Sequence, residues 1–83
     1  MKIVYNNETK KLPDVSDYTK LTKAVTSAFS MDMASMKFFY TDEDGDTITV
    51  TNQSDLDEAR KSMGQLKLYL ADNVQVANDA MSE

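Results

Sequence analysis

Seven carboxylates lie between Asp42 and Glu58, and no basic residue interrupts them. Asp42, Glu43, Asp44 and Asp46 crowd around Gly45, and Asp55, Asp57 and Glu58 follow after an alternating I-T-V run. Carboxylates at this density have three chemical uses. A pair with one buried, raised-pKa member does general acid–base work. Oxygen ligands at alternate positions hold a hard cation. An exposed, uncompensated cluster attracts a basic partner.

Catalysis has the least support. The chain contains no histidine and no cysteine, so no serine has an imidazole to activate it and no thiolate is available as a nucleophile. Carboxylates at a turn tip are solvated, which denies them the burial that acid–base catalysis requires. A calcium loop fails on spacing. With Asp42 as the first ligand, the sixth position, where such a loop needs glycine, is Thr47, and the twelfth, where it needs a bidentate Glu, is Gln53. The flanks also alternate with a strand period where that loop requires helices. A basic partner is the use that survives, and no catalytic residue, metal or cofactor is expected.

The elements that must position these acids follow from periodicity. Met1 to Asn6 alternates as a half-buried strand, with Met1, Ile3 and Tyr5 on one face and Lys2 and Val4 on the other. Asn6 and Asn7 tolerate left-handed dihedrals and turn the chain, and Thr9 to Leu12 returns as a second strand. Pro13 and Asp14 end the hairpin. Ser16 is the expected N-cap of a helix whose buried stripe is Tyr18, Leu21, Ala24, Val25, Ala28 and Phe29, spaced by threes and fours. Met31, Met33 and Met36 fill the core or the loop after it.

Met36, Phe38 and Tyr40 alternate with Lys37, Phe39 and Thr41 in a third strand, and the β-branched run from Thr47 to Thr51 is a fourth. The acidic turn joins these two. Ser54 with Asp57 resembles a capping box and opens a short second helix, with Leu56, Ala59 and Met63 buried and Gly64 as its C-cap. Leu66, Leu68 and Leu70 mark a last strand. From residue 72 to residue 83 no strong period is evident, and a frayed, polar, acidic tail is expected. The order ββαββαβ gives an α+β fold, two helices against one mixed sheet, of the ubiquitin-like β-grasp kind spanning residues 1–71.

At 83 residues the chain is one small domain that buries only about 60 to 65% of the surface its unfolded form exposes. Without cysteine it holds by packing alone, compatible with a reducing, cytoplasmic setting. No apolar run approaches the roughly 20 residues of a membrane span, and M-K-I-V-Y-N-N is too short for a signal peptide. A net charge of -5 argues against nucleic acid as a partner. The distribution is more informative than the total. Met1 to Lys23 carries five lysines against three acids, the reverse of the bias between Asp42 and Glu58.

The string Y-T-D-E-D-G-D-T-I-T-V-T-N-Q-S-D-L-D-E-A closely resembles the acidic signature, called the OPCA motif, of the Phox/Bem (PB-one) domain family, and the element order extends the resemblance to about Ala71. Members of that family are scaffolding and signalling modules that pair front to back. The resemblance implies an acidic face of Asp42, Glu43, Asp44, Asp46, Asp55, Asp57 and Glu58. It also implies a basic face centred on Lys2, with Lys10 and Lys11 in support. A chain with both faces could associate with itself head to tail; one with the acidic face alone needs a separate basic PB-one domain. Many members carry a further acid just before the position of Asp55, where this chain has Gln53 and Ser54. The alternative of the same fold class is a ubiquitin-like binding domain without conjugation, since the chain ends N-D-A-M-S-E and its only glycines are Gly45 and Gly64.

Overall fold

A computed structural model describes residues 1–32, 34–62 and 65–81. Met33, Met63 and Gly64, assigned above to the core and to a helix end, lie outside the described residues. The elements run β1 (Lys2–Tyr5), β2 (Glu8–Lys11), α1 (Tyr18–Phe29), β3 (Lys37–Thr41), β4 (Thr47–Val50), α2 (Gln53–Ser62), β5 (Lys67–Ala71) and α3 (Val74–Met81). The five strands form one mixed sheet in the order β2-β1-β5-β3-β4, with β1 and β5 parallel and the other neighbours antiparallel. This is the α+β, β-grasp arrangement that the periodicity predicts, with one helix added.

Each turn has a local cause. Asn6 and Asn7 both take positive φ, 52° and 65°, the geometry a two-residue hairpin needs to match strand twist. The helix caps differ from the expected ones by a residue or two. Asp17 rather than Ser16 caps α1, its Oδ1 accepting from the Lys20 amide at 3.0 Å. Asn52 rather than Ser54 caps α2, accepting from the Asp55 amide at 2.9 Å. Asp17, one position downstream of Ser16, and Asn52, two positions upstream of Ser54, each satisfy an orphan amide of their helix's first turn. At the other end of α1, Ser30 occupies the left-handed region at φ 51°.

The main core lies between the sheet and the two helices α1 and α2. Ile3, Leu21, Val25, Phe38, Val50, Leu56, Ala59 and Leu68 are fully buried in it, and Met31 and Met36 pack at its margin. Alternation along the strands makes this inevitable: Ile3, Phe38, Tyr40, Leu68 and Leu70 project to the helix side while their neighbours project to the other.

That other side is also covered in part. Within the stretch expected to be a frayed tail, Val74–Met81 forms α3, which packs across β5 and β4. Phe39, Ala71 and Ala77 are buried there with Tyr69 and Met81 against them, a second small core on the face opposite the first. Asn73 starts the helix by accepting from the Val76 amide at 3.0 Å, and Thr47 and Thr41 contact Asn78 and Met81. The correction has a clear physical reason. Phe39 and Ala71 leave an apolar strip on the back of the sheet, and Ala77 and Met81, one turn apart on the helix, supply a cover for it.

Deleting residues 72–83 should therefore lower stability rather than leave it unchanged. Exposing Phe39 alone removes about 1.5 to 3 kcal/mol of burial free energy, readable as a shift in the urea unfolding midpoint. A midpoint equal to that of the full chain would return this stretch to a frayed tail.

Candidate functional site

The acidic hairpin is built around one side chain. The Asp42 carbonyl accepts from the Gly45 amide at 3.0 Å, and the Asp42 amide donates to the Asp46 carbonyl at 3.0 Å, which closes the loop between β3 and β4. Asp42 Oδ1 then accepts from the amides of Asp44 and Asp46, at 3.0 and 2.9 Å. Gly45 sits at φ 85°, a conformation that a side chain would strain. Asp42 is half-buried as a result, while Glu43, Asp44 and Asp46 are exposed.

Holding the loop this way concentrates charge. Asp42, Asp44 and Asp46 each offer a carboxylate oxygen within 4.8 Å of the other two. No ion pair neutralises Glu43, Asp44 or Asp46 among the described residues. Their mutual repulsion is relieved when cationic groups approach from outside.

The second acidic group is divided in its duties. Asp55 is half-buried, and its Oδ2 reaches back to the amide of Thr51 at 3.1 Å, tying β4 to α2. Asp57 accepts from Gln53 Nε2 at 2.9 Å, and Glu58 lies 3.7 Å from Lys61 one turn along the helix. Gln53, which stands near the family's additional acid, works as a clamp. Its Oε1 accepts from the Tyr18 amide at 2.7 Å and its Nε2 donates to the Ser16 carbonyl at 2.7 Å, joining α2 to the start of α1. Tyr18 packs edge-on against Phe38, and its hydroxyl pKa is pushed up by burial and, secondarily, by the nearby charge of Asp55.

The structure separates the three lysines assigned to the basic face. Lys2 is paired with Lys11 across the β1–β2 hairpin, and both are exposed on the face away from α1 and α2. Lys10 pairs with buried Ile3 and so projects to the helix side. There it donates to the Ala28 carbonyl, lies 5.0 Å from the centroid of the Phe29 ring and sits 3.7 Å from Glu8. One lysine that periodicity did not single out joins the first two: Lys67 on β5 is paired with Lys2 in parallel register. Its signal in the sequence was alternation with Leu66 and Leu68, which assigns a face but not a neighbour.

Lys2, Lys11 and Lys67 border a cleft of about 620 Å³ that also includes Asp14, Gln65 and Leu66. Asp14 is engaged elsewhere. The Arg60 guanidinium donates to both of its oxygens, at 3.2 Å through Nη2 and through Nη1 as well, and holds its pKa below the usual 3.8 by hydrogen bonding. No described helix is long and apolar enough to cross a membrane.

A family model described as "PB1 domain" matches residues 1–73. Solved structures agree in fold: a chain titled "AtNBR1-PB1 domain" superposes with a TM-score of 0.71 at 16% identity, covering 84% of this chain and 91% of that one. The comparison with curated proteins finds no match.

The Asp14–Arg60 pair makes an acid-sensitive contribution to stability. Because the folded state lowers the Asp14 pKa, its contribution is present above 3.8 and is lost as pH falls through the depressed folded value. The stability difference between the wild type and Asp14→Asn, followed by urea unfolding from about pH 5 to pH 2, should shrink toward zero at the acid end. A difference that stays constant would mean the pair contributes nothing through ionisation. Separately, Asp42→Ala should speed hydrogen exchange at the Asp44 and Asp46 amides, whereas Asp42→Asn, which keeps one acceptor oxygen, should largely preserve their protection.

Proposed function

Since the chain belongs to the PB1 domain family, whose members are protein–protein interaction modules, we propose that it assembles complexes by front-to-back docking of its acidic hairpin onto the lysine face of another such domain. The observation that carries this reading is the exposed set Glu43, Asp44 and Asp46, unpaired among the described residues and held in a loop that Asp42 ties internally. Carboxylates without internal partners are free to accept charge-assisted hydrogen bonds from lysine ammonium groups. Asp55 and Asp57 extend the acidic surface from the start of α2, at the end of the helix where negative charge faces the positive end of the macrodipole.

The same molecule presents lysines for the reciprocal contact. Lys2 and Lys11 sit on β1 and β2, and the acidic loop joins β3 to β4, with β5 between the two halves of the sheet. Separation of the patches supports a heterologous contact that leaves each face free while the other is occupied, the arrangement that builds open chains. Docking of this kind is steered by complementary potentials over long range and fixed by close charge pairs at short range. The proposed role is therefore that of a scaffold element in signalling assemblies, with a second copy or another basic PB1 domain as partner.

Asp44→Ala together with Asp46→Ala should abolish binding to a basic partner without loss of the folded spectrum, because each interfacial charge pair removed costs about 2 to 5 kcal/mol. Calorimetric titration measures this, and an unchanged affinity would take the hairpin out of the interface. Light scattering after size exclusion should show self-association of the wild type that weakens from about 50 to 500 mM salt. Lys2→Ala and the double aspartate variant should each be monomeric, yet form a heterodimer when mixed. A wild-type chain that remains monomeric at high concentration and low salt would leave only the acidic face in play.

A further inference from the structure

Lys67 is missing from any basic face read off the first hairpin, but the sheet register brings it there. Parallel pairing of β1 with β5 sets Lys67 beside Lys2, and antiparallel pairing with β2 sets Lys11 on the other side. Residues directly paired across a sheet share a face, so the three ammonium groups stand in one cross-strand row. All three are exposed and, among the described residues, none is in an ion pair. The carboxylate that borders their cleft, Asp14, is held by Arg60.

Like charges directly opposite one another destabilise a sheet, and nothing described inside the molecule offsets this row. An anionic partner would. Lys67 is also positioned for the purpose: its ammonium lies 5.4 Å from the centroid of the Tyr69 ring, and that ring is braced by the small core of Phe39, Ala77 and Met81. A cation resting against an aromatic face surrenders less side-chain freedom when it meets an anion.

We infer that Lys67 is the third cation of the docking surface, which is the row Lys11, Lys2 and Lys67 on three strands, and that Lys10 is not part of it. The occupant is the acidic surface of a second copy of this chain, so the inference rests on the front-to-back reading above. Dimensions favour that occupant. The row spans two strand spacings, roughly 10 Å, which exceeds the 4.8 Å spread of the hairpin carboxylates. Covering it takes acids from two elements, and the chain supplies two: the hairpin and the start of α2.

The test uses two full chains, one carrying Asp44→Ala with Asp46→Ala and the other carrying Lys2→Ala, so that a single kind of contact is possible between them. Adding Lys67→Ala to the first chain should weaken the heterodimer by about tenfold, as should Lys11→Ala. Lys10→Ala removes the same charge from the opposite face and should leave the affinity within about twofold. Lys67→Arg keeps the charge and should retain binding. Thermal unfolding of each variant checks the fold. Unchanged affinity with Lys67→Ala, an equal loss with Lys10→Ala, or a loss with Lys67→Arg as large as with Lys67→Ala would each overturn the row. Failure of the front-to-back reading has a different signature: the parent pair forms no heterodimer, and the row falls with it.

Discussion

Pairing of the first strand with the last organises this molecule. β5 enters the centre of the sheet between β1 and β3, joined to one in parallel and to the other in antiparallel register. The Lys2 amide donates to the Leu66 carbonyl at 2.9 Å, and Ile3 meets Leu68 at the bottom of the main core. Without this contact the β1–β2 hairpin would be a separate two-stranded piece, too small to be stable alone, cut off from the three strands β5, β3 and β4. With it, the β1–β2 hairpin and the β3–β4 hairpin become opposite halves of one rigid surface, and Lys67 acquires a neighbour 65 positions away in the chain.

Two kinds of carboxylate result, and the difference between them is the basis of the functional reading. Asp42 and Asp55 spend oxygens on backbone amides and shape the loop and the helix start. Glu43, Asp44 and Asp46 gain a fixed frame from that work and keep their own oxygens exposed. A recognition surface needs both. Unframed acids would lose rotamer freedom on binding, and a hairpin whose acids were all internally satisfied would offer a partner little.

Much of this was legible in the sequence, and the limits are physical. Strand alternation at Ile3, Phe38 and Leu68 and the three-four spacing in α1 are local signals, so the elements and the main core followed directly. Cap positions shifted by a residue or two because Asp17 and Asn52 are as suited to capping as Ser16 and Ser54, and local sequence does not choose among neighbouring cap residues. The third helix went unread because its period is short and its outward positions, Val74 and Val76, are apolar and exposed, which blurs the stripe. Phe39 held the missing clue: an aromatic residue out of phase with the buried alternation implies a cover on that side. Which face each lysine takes is a matter of register. Lys10 and Lys11 are adjacent in sequence and opposite in space, and Lys67 becomes part of the basic row only through a pairing between chain ends.

The edge strand β2 reads E-T-K-K, and charge there also bears on the open edge of the sheet. An open strand edge is a template on which another chain can continue the sheet through its backbone, a contact that is hard to undo. Lys10, folded over Phe29 and bonded to the Ala28 carbonyl, and Glu8 beside it hold charged groups along that border. If copies join head to tail as proposed, these charges favour side-chain contacts that salt can dissolve over backbone pairing that salt cannot, which would keep such a polymer reversible rather than amyloid-like.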